Sequence, residues 1–144
     1  MRTSPFLLML ALAGCFEDTS SIKSAFLPPD YQTQFLLARA CQADTGNAHG
    51  QGYQIIRANN LGMQGPPYAP GSVFVSELHG DPGCTSLQSI YAIAKEEPGY
   101  DPGNGDWHWQ RLSSIQRVLD DGKLATCATC HAACAPSDRV CSRR

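Results

Sequence analysis

Glycine and proline recur so often along the middle of this chain that long helices have little room to form. The 144 residues include 13 Gly and 10 Pro, and turn-forming pairs such as Pro66-Pro67 and Pro98-Gly99 separate short apolar segments. Proline removes a backbone donor and glycine adds conformational freedom, so both tend to end regular structure. This distribution favours short antiparallel strands.

Alternating apolar residues predict where these strands lie, and one further pattern predicts a helix. The segments with strand-like composition or alternation are 53–58, 72–78, 89–95 and 107–109. In contrast, apolar residues from Tyr31 to Gln42 have helical spacing, directly after Pro29 and Asp30, which suit a helix start. The predicted fold class is therefore α+β: a mainly antiparallel β domain with an N-terminal helix.

The N-terminus resembles a bacterial lipoprotein signal. Arg2 precedes an apolar run, Phe6 to Ala13, which is too short to span a bilayer as a mature helix. The residues before Cys15 resemble the lipobox, in which the chain is cut before a cysteine that is then acylated. We predict a signal peptide at 1–14 and a lipidated Cys15 that opens a tether at 15–30. The alternative is an ordinary signal peptide with an incidental cysteine.

A lipidated Cys15 predicts a membrane-anchored protein of the cell envelope, facing the periplasm. Because no Asp follows that cysteine, the outer membrane is favoured. Residues 31–144 are enough for one domain with its own core. The formal net charge of −2 gives no indication of a nucleic-acid partner.

Cys127, Cys130 and His131 form the motif C-x-x-C-H, whose spacing is typical of covalent c-type haem attachment. Two thiols three positions apart can add to both vinyl groups of one haem, and the adjacent imidazole can then become an axial iron ligand. The motif therefore predicts haem c as the cofactor. Cys127 and Cys130 are its expected tethers, and His131 is the expected metal ligand.

The cysteines left after these assignments are an even number, and an exported chain can keep disulfides. One or two bridges are predicted among Cys41, Cys84, Cys134 and Cys141, and the sequence leaves the connectivity open. A zinc or iron–sulfur cluster that combines the C-terminal cysteines with His131 is an alternative, although the spacing fits haem better. A thioredoxin-like dithiol fits less well, because no parallel strand follows the motif.

Several motifs in order resemble the cytochrome P-460 and cytochrome c′-beta family over residues 53–141. They are GSVFVSEL at 71–78, AIAK at 92–95, PGYD at 98–101, GDW at 105–107, and the C-x-x-C-H motif followed by DRV at 138–140. The resemblance implies a mainly antiparallel β domain with a few helices, often dimeric. It also implies one haem c with His131 on the proximal side and a distal side that is open or gated.

Two departures from the family pattern bear on activity. Members that oxidise hydroxylamine link a strand lysine to the haem, and Ser76 stands at that position here. Serine cannot form this amine link. Tyr91 aligns with a distal carboxylate that is associated with the same activity. The resemblance thus places Ser76 and Tyr91 in the distal pocket and argues against hydroxylamine oxidation, while leaving open whether the chain is an enzyme.

Three functions follow from these observations. The leading one is a lipid-anchored haem protein that binds or transforms small nitrogen-containing ligands such as nitric oxide or hydroxylamine. The second is an electron-transfer cytochrome with six-coordinate haem, a redox partner protein, and Met63 or a histidine as sixth ligand. The third is a structural lipoprotein whose cysteines all form disulfides. His49 and His79 are expected to be exposed, and His108 points away from the adjacent tryptophans.

Overall fold

A six-stranded antiparallel sheet forms the body of the protein, with its strands arranged side by side in chain order. The structure, a computed structural model, describes residues 23–44 and 49–141. Short 3₁₀ turns lie at Gly62–Gln64, Pro102–Asn104 and Ala132–Ser137. The helices and strands are α1 (Tyr31–Gln34), β1 (Leu36–Asp44), β2 (Gly52–Ala58), β3 (Val73–His79), β4 (Leu87–Lys95), β5 (Trp107–Ser113), β6 (Val118–Gly122) and α2 (Ala125–His131).

The predicted helix from Tyr31 to Gln42 is wrong, and so is the α+β fold class with an N-terminal helix. Helix α1 is a single turn, because Phe35 is extended (φ −90°, ψ 142°) and β1 begins at the next residue. Leu36 and Leu37 are 48% and 52% exposed, so the apolar run does not form the buried stripe of a helix. Backbone pairing with β2 overrides the helical pattern. The described chain is mainly β with few, short helices.

One face of the sheet is covered by the chain that precedes β1. Leu27 and Tyr31 are only 4% and 1% exposed there. The backbone N–H of Phe26 donates to Oε1 of Gln110 over 3.0 Å, which ties this segment to β5. The buried apolar residues of this face are Leu27, Tyr31, Val75, Ile90, Ala92 and Leu112.

The opposite face is covered by α2 and the 3₁₀ turn that follows it. Trp107 Nε1 donates to the backbone carbonyl of Asp138 over 2.9 Å, and Lys95 Nζ lies 2.8 Å from Oδ2 of the same residue. These contacts hold the C-terminal segment against β4 and β5. The buried apolar residues of this face are Ala58, Tyr68, Phe74, Ile93, Trp107, Trp109, Ala128 and Val140.

Two disulfides are present in the described chain. Cys41 on β1 is joined to Cys84 in the loop between β3 and β4, and Cys134 is joined to Cys141. The second bridge removes two thiols from the proposed zinc or iron–sulfur cluster. Over residues 23–44 and 49–141, no group of three or more His, Cys, Asp or Glu side chains is arranged to hold a metal ion.

The Cys134–Cys141 bridge is expected to stabilise the fold modestly. Its partners are only 7 residues apart, so the Cys134→Ala/Cys141→Ala variant should lose about 2 kcal/mol of unfolding free energy through greater freedom of the unfolded chain. Equilibrium urea unfolding of the variant and the wild type measures this difference. Equal unfolding free energies would show that the bridge does not constrain the unfolded chain.

The predicted N-terminal features fall largely beyond the described ranges. The signal peptide at 1–14 and the lipidated Cys15 lie outside them. Of the predicted tether, residues 23–30 are described, and Leu27 within them enters the core. Within the described chain, no helix is both long and apolar enough to cross a membrane.

Candidate functional site

A cavity of about 440 Å³ lies where α2 faces the sheet. This volume is within the range of about 300–1,000 Å³ that is typical of small-molecule sites. Its wall is mostly apolar, with contributions from Ile56, Phe74, Ile93, Trp109 and Leu124. Such a wall favours a ligand with a large apolar surface.

The residues that the sequence predicted as a site meet in this cavity. Cys127, Cys130 and His131 line it from α2, and Ser76 and Tyr91 line it from the sheet. Ser76 and Tyr91 are directly paired neighbours on β3 and β4. The structure therefore brings together these five residues, although the helix and the two strands are far apart in the sequence.

Helix α2 presents the three motif residues on one side. Cys130 and His131 follow Cys127 by three and four positions, and residues at these spacings share a helix face. Cys127 and Cys130 are free thiols, the first half-buried and the second exposed. Burial raises the pKa of the Cys127 thiol, which disfavours the thiolate form that zinc sites and dithiol redox catalysts use.

The imidazole of His131 is oriented by a hydrogen bond to the backbone. Its Nδ1 lies 2.7 Å from the backbone carbonyl oxygen of Arg139, and a carbonyl only accepts, so Nδ1 carries the proton. The lone pair is then on Nε2. Burial lowers the pKa of His131, so the ring is neutral at neutral pH. The edge of its ring packs on Trp109, with ring centres 4.6 Å apart.

His49 is a cavity residue that the sequence analysis missed. It is half-buried rather than exposed, and its ring stacks on Tyr91 with centres 4.3 Å apart. Tyr91 Oη donates to the His49 carbonyl over 3.0 Å. The ring centre of His49 lies 6.1 Å from that of His131. Burial lowers the pKa of His49 to about 4. No spacing pattern links residues 49 and 131, so only the fold reveals this pair.

The other candidate ligands lie elsewhere. His79 is 4% exposed at the end of β3 beside Glu77, which corrects the expectation that it is exposed. His108 lies on the opposite face of the sheet from the tryptophans, with Nε2 2.7 Å from Oδ1 of Asp121. Met63 is 39% exposed and does not line the cavity. None of these three contributes to the cavity wall.

Comparison with known proteins leaves the site without a family assignment. No protein-family model matches the sequence, and no curated protein matches it. The motif in α2 and the geometry of the cavity are therefore the features that indicate a function.

Proposed function

We propose that this protein binds one haem c covalently through Cys127 and Cys130, with His131 as the proximal ligand. We further propose that a small nitrogen-containing molecule such as nitric oxide binds on the opposite side of the iron. The observation that carries this proposal is the convergence of two free thiols and a neutral imidazole on one mostly apolar cavity. A C-x-x-C-H motif is short enough to occur by chance. Haem attachment also needs its three side chains at one cavity, and the three residues of the motif line the same cavity.

The donor set and the cavity wall fit this cofactor. Two thiols and a neutral imidazole on one helix face match two thioether bonds and one axial ligand. Ser76 and Trp109 also line the cavity, although Ser76 Oγ and Trp109 Nε1 are themselves buried and have no hydrogen-bond partner among the described residues.

Each group then has a definable role. Haem iron with a single protein ligand supplies an open coordination position for small molecules. The Nδ1–H bond from His131 to the Arg139 carbonyl orients the imidazole and raises its basicity. Phe74, Ile93 and Trp109 give the cavity an apolar wall against which the haem ring would pack. Ser76 lines the cavity but carries no amine that could attach to a cofactor, so we do not propose hydroxylamine oxidation.

A second candidate function is electron transfer through six-coordinate haem, and one observation favours it. A metal–imidazole bond is about 2 Å long, so two histidines on opposite sides of one metal ion have ring centres roughly 6 Å apart. The measured separation of His49 and His131 is 6.1 Å. His49 is therefore the candidate sixth ligand, in place of the exposed Met63.

We also propose that the protein is exported and anchored through Cys15 at the periplasmic side of the outer membrane. The two disulfides support export, because such bonds persist in oxidising compartments. Mass spectrometry of the membrane-extracted protein should detect an acylated N-terminal cysteine, and the Cys15→Ala variant should be found in the soluble fraction. Recovery of the unmodified wild type from that fraction would contradict the anchor.

The haem proposal is tested on the mature protein made in a host with c-type haem maturation machinery. We expect a mass increase of one haem that survives denaturation, a high-spin ferric spectrum, and a clear spectral change when nitric oxide is added. A mass without haem would instead favour a structural lipoprotein. A low-spin spectrum that nitric oxide does not change would favour electron transfer.

A further inference from the structure

The carbonyl that orients His131 belongs to a strained turn of the backbone. Asp138 and Arg139 both have positive φ values, 48° and 64°, in the left-handed region that favours glycine. Two consecutive residues of this kind cost conformational free energy, so other contacts must hold them in place. The Arg139 carbonyl at this turn accepts the Nδ1–H of His131 over 2.7 Å.

The carboxylate of Asp138 fastens the turn to the sheet. Lys95 Nζ, at the end of β4, lies 2.9 Å from its Oδ1 and 2.8 Å from its Oδ2. The backbone N–H of Tyr68 donates to Oδ2 over 3.0 Å. The Lys95 and Asp138 side chains are only 13% and 19% exposed, so this ion pair is less screened by water than a surface pair.

Backbone hydrogen bonds fix the direction of the Arg139 carbonyl itself. The N–H of Val140 lies in the same planar peptide unit and donates to the Ser137 carbonyl over 3.0 Å. Trp107 Nε1 donates to the Asp138 carbonyl over 2.9 Å. The turn is thus held on both sides of the peptide unit that contacts the histidine.

From these contacts we infer that Asp138 is a positioning residue, whose carboxylate holds the turn that directs the Arg139 carbonyl at His131. The hydrogen bond to that carbonyl makes the imidazole a stronger electron donor to iron, which stabilises the oxidised cofactor. Asp138 and Lys95 do not line the cavity, so they act through His131 and not on a bound ligand. The inference rests on the proposed function and adds the group that tunes the reduction potential of the haem.

The test compares the haem-loaded variants Asp138→Ala and Asp138→Asn with the wild-type holoprotein. Both substitutions remove the same charge, but asparagine tolerates a positive φ and keeps an oxygen that can accept from the Tyr68 N–H. Alanine keeps neither property. We expect the midpoint reduction potential to shift upward further in Asp138→Ala than in Asp138→Asn, because weaker donation from the imidazole favours ferrous iron.

The iron–histidine stretching frequency measures the proximal bond directly. It is recorded by resonance Raman spectroscopy of the ferrous protein directly after photodissociation of carbon monoxide, when His131 is the only protein ligand. We expect a lower frequency in Asp138→Ala than in the wild type. If that variant does not load haem, Lys95→Met is measured in its place, and its frequency should also fall.

The matched control is Gln116→Ala, in the turn between β5 and β6. Gln116 also has a positive φ, 60°, and its side chain donates to the Pro29 carbonyl over 2.8 Å. This variant should lose unfolding free energy but keep the reduction potential and the iron–histidine frequency of the wild type. A control that shifted both readouts as much as Asp138→Ala would show a merely structural effect and would overturn the inference.

The outcomes separate this inference from the function on which it rests. Equal potentials in Asp138→Ala and Asp138→Asn, or an iron–histidine frequency that Asp138→Ala or Lys95→Met leaves unchanged, would overturn the inference while leaving haem binding intact. Absence of covalent haem in the wild type would instead remove the proposed function itself.

Discussion

The Cys127→Ser/Cys130→Ser variant is expected to carry no covalently bound haem when it is made under the conditions that load the wild type. Both thiols line the cavity, and no other free cysteine occurs among the described residues. Thioether bonds need these sulfur atoms, so the loss should be complete rather than partial. The mass of the denatured protein and haem-specific staining of a denaturing gel measure it.

The matched control for this prediction is the Cys134→Ala/Cys141→Ala variant. It also lacks two cysteines near α2, but these form a disulfide in the wild type. We expect it to keep its haem despite its lower stability. If the control lost the haem and the Cys127→Ser/Cys130→Ser variant kept it, the assignment of the attachment cysteines would be wrong.

The Arg57→Met variant is expected to lose about 3 kcal/mol of unfolding free energy, because it leaves a buried carboxylate without its arginine partner. The Glu77 side chain is 1% exposed, and Arg57 Nε lies 3.2 Å from its Oε1. Gln32 Nε2 donates to the same oxygen over 2.9 Å, but a neutral amide offsets only part of the lost interaction. Urea unfolding monitored by tryptophan fluorescence gives the difference.

A double variant separates the buried charge from the packing of the arginine. Arg57→Met/Glu77→Leu removes both charges, so its unfolding free energy should lie well above that of Arg57→Met alone. The exposed ion pair of Arg111 and Asp120 provides a second comparison, because Arg111→Met should cost less than about 1 kcal/mol. Equal losses of unfolding free energy in Arg57→Met and Arg111→Met would show that the burial of the Glu77 carboxylate adds no cost of its own.

The interior strands were predictable from local patterns. Segment 53–58 falls within β2, and segment 72–78 matches β3 except for its first residue, because both strands are rich in residues that suit a pleated, half-buried surface. Strand β1 was mistaken for a helix. Its apolar residues Leu36 and Leu37 are largely exposed on an edge strand, so their spacing did not report a buried face. Pairing with β2, which involves residues distant in sequence, decided the conformation.

Strand β6 could not be predicted for a related reason. It reads VLDDG, and aspartate is depleted in strands. Its two carboxylates are compensated across the sheet: Asp120 pairs with Arg111, and Asp121 accepts from Gln110 and contacts His108. Although partial burial opposes it, these hydrogen bonds lower the pKa of Asp121. Partners on β5 thus stabilise a strand that its own composition disfavours.

By itself, the sequence determined the local part of the site, since two thiols and an imidazole within five consecutive residues share a helix face through helical geometry alone. The family resemblance, rather than any local pattern, made Ser76 and Tyr91 candidates, and their pairing depends on the register of β3 and β4. Only the tertiary structure decided which cysteines are bridged and placed His49 6.1 Å from His131. The physical reason is that these contacts join segments far apart in the chain, whose approach is set by sheet pairing and packing rather than by local residue preference.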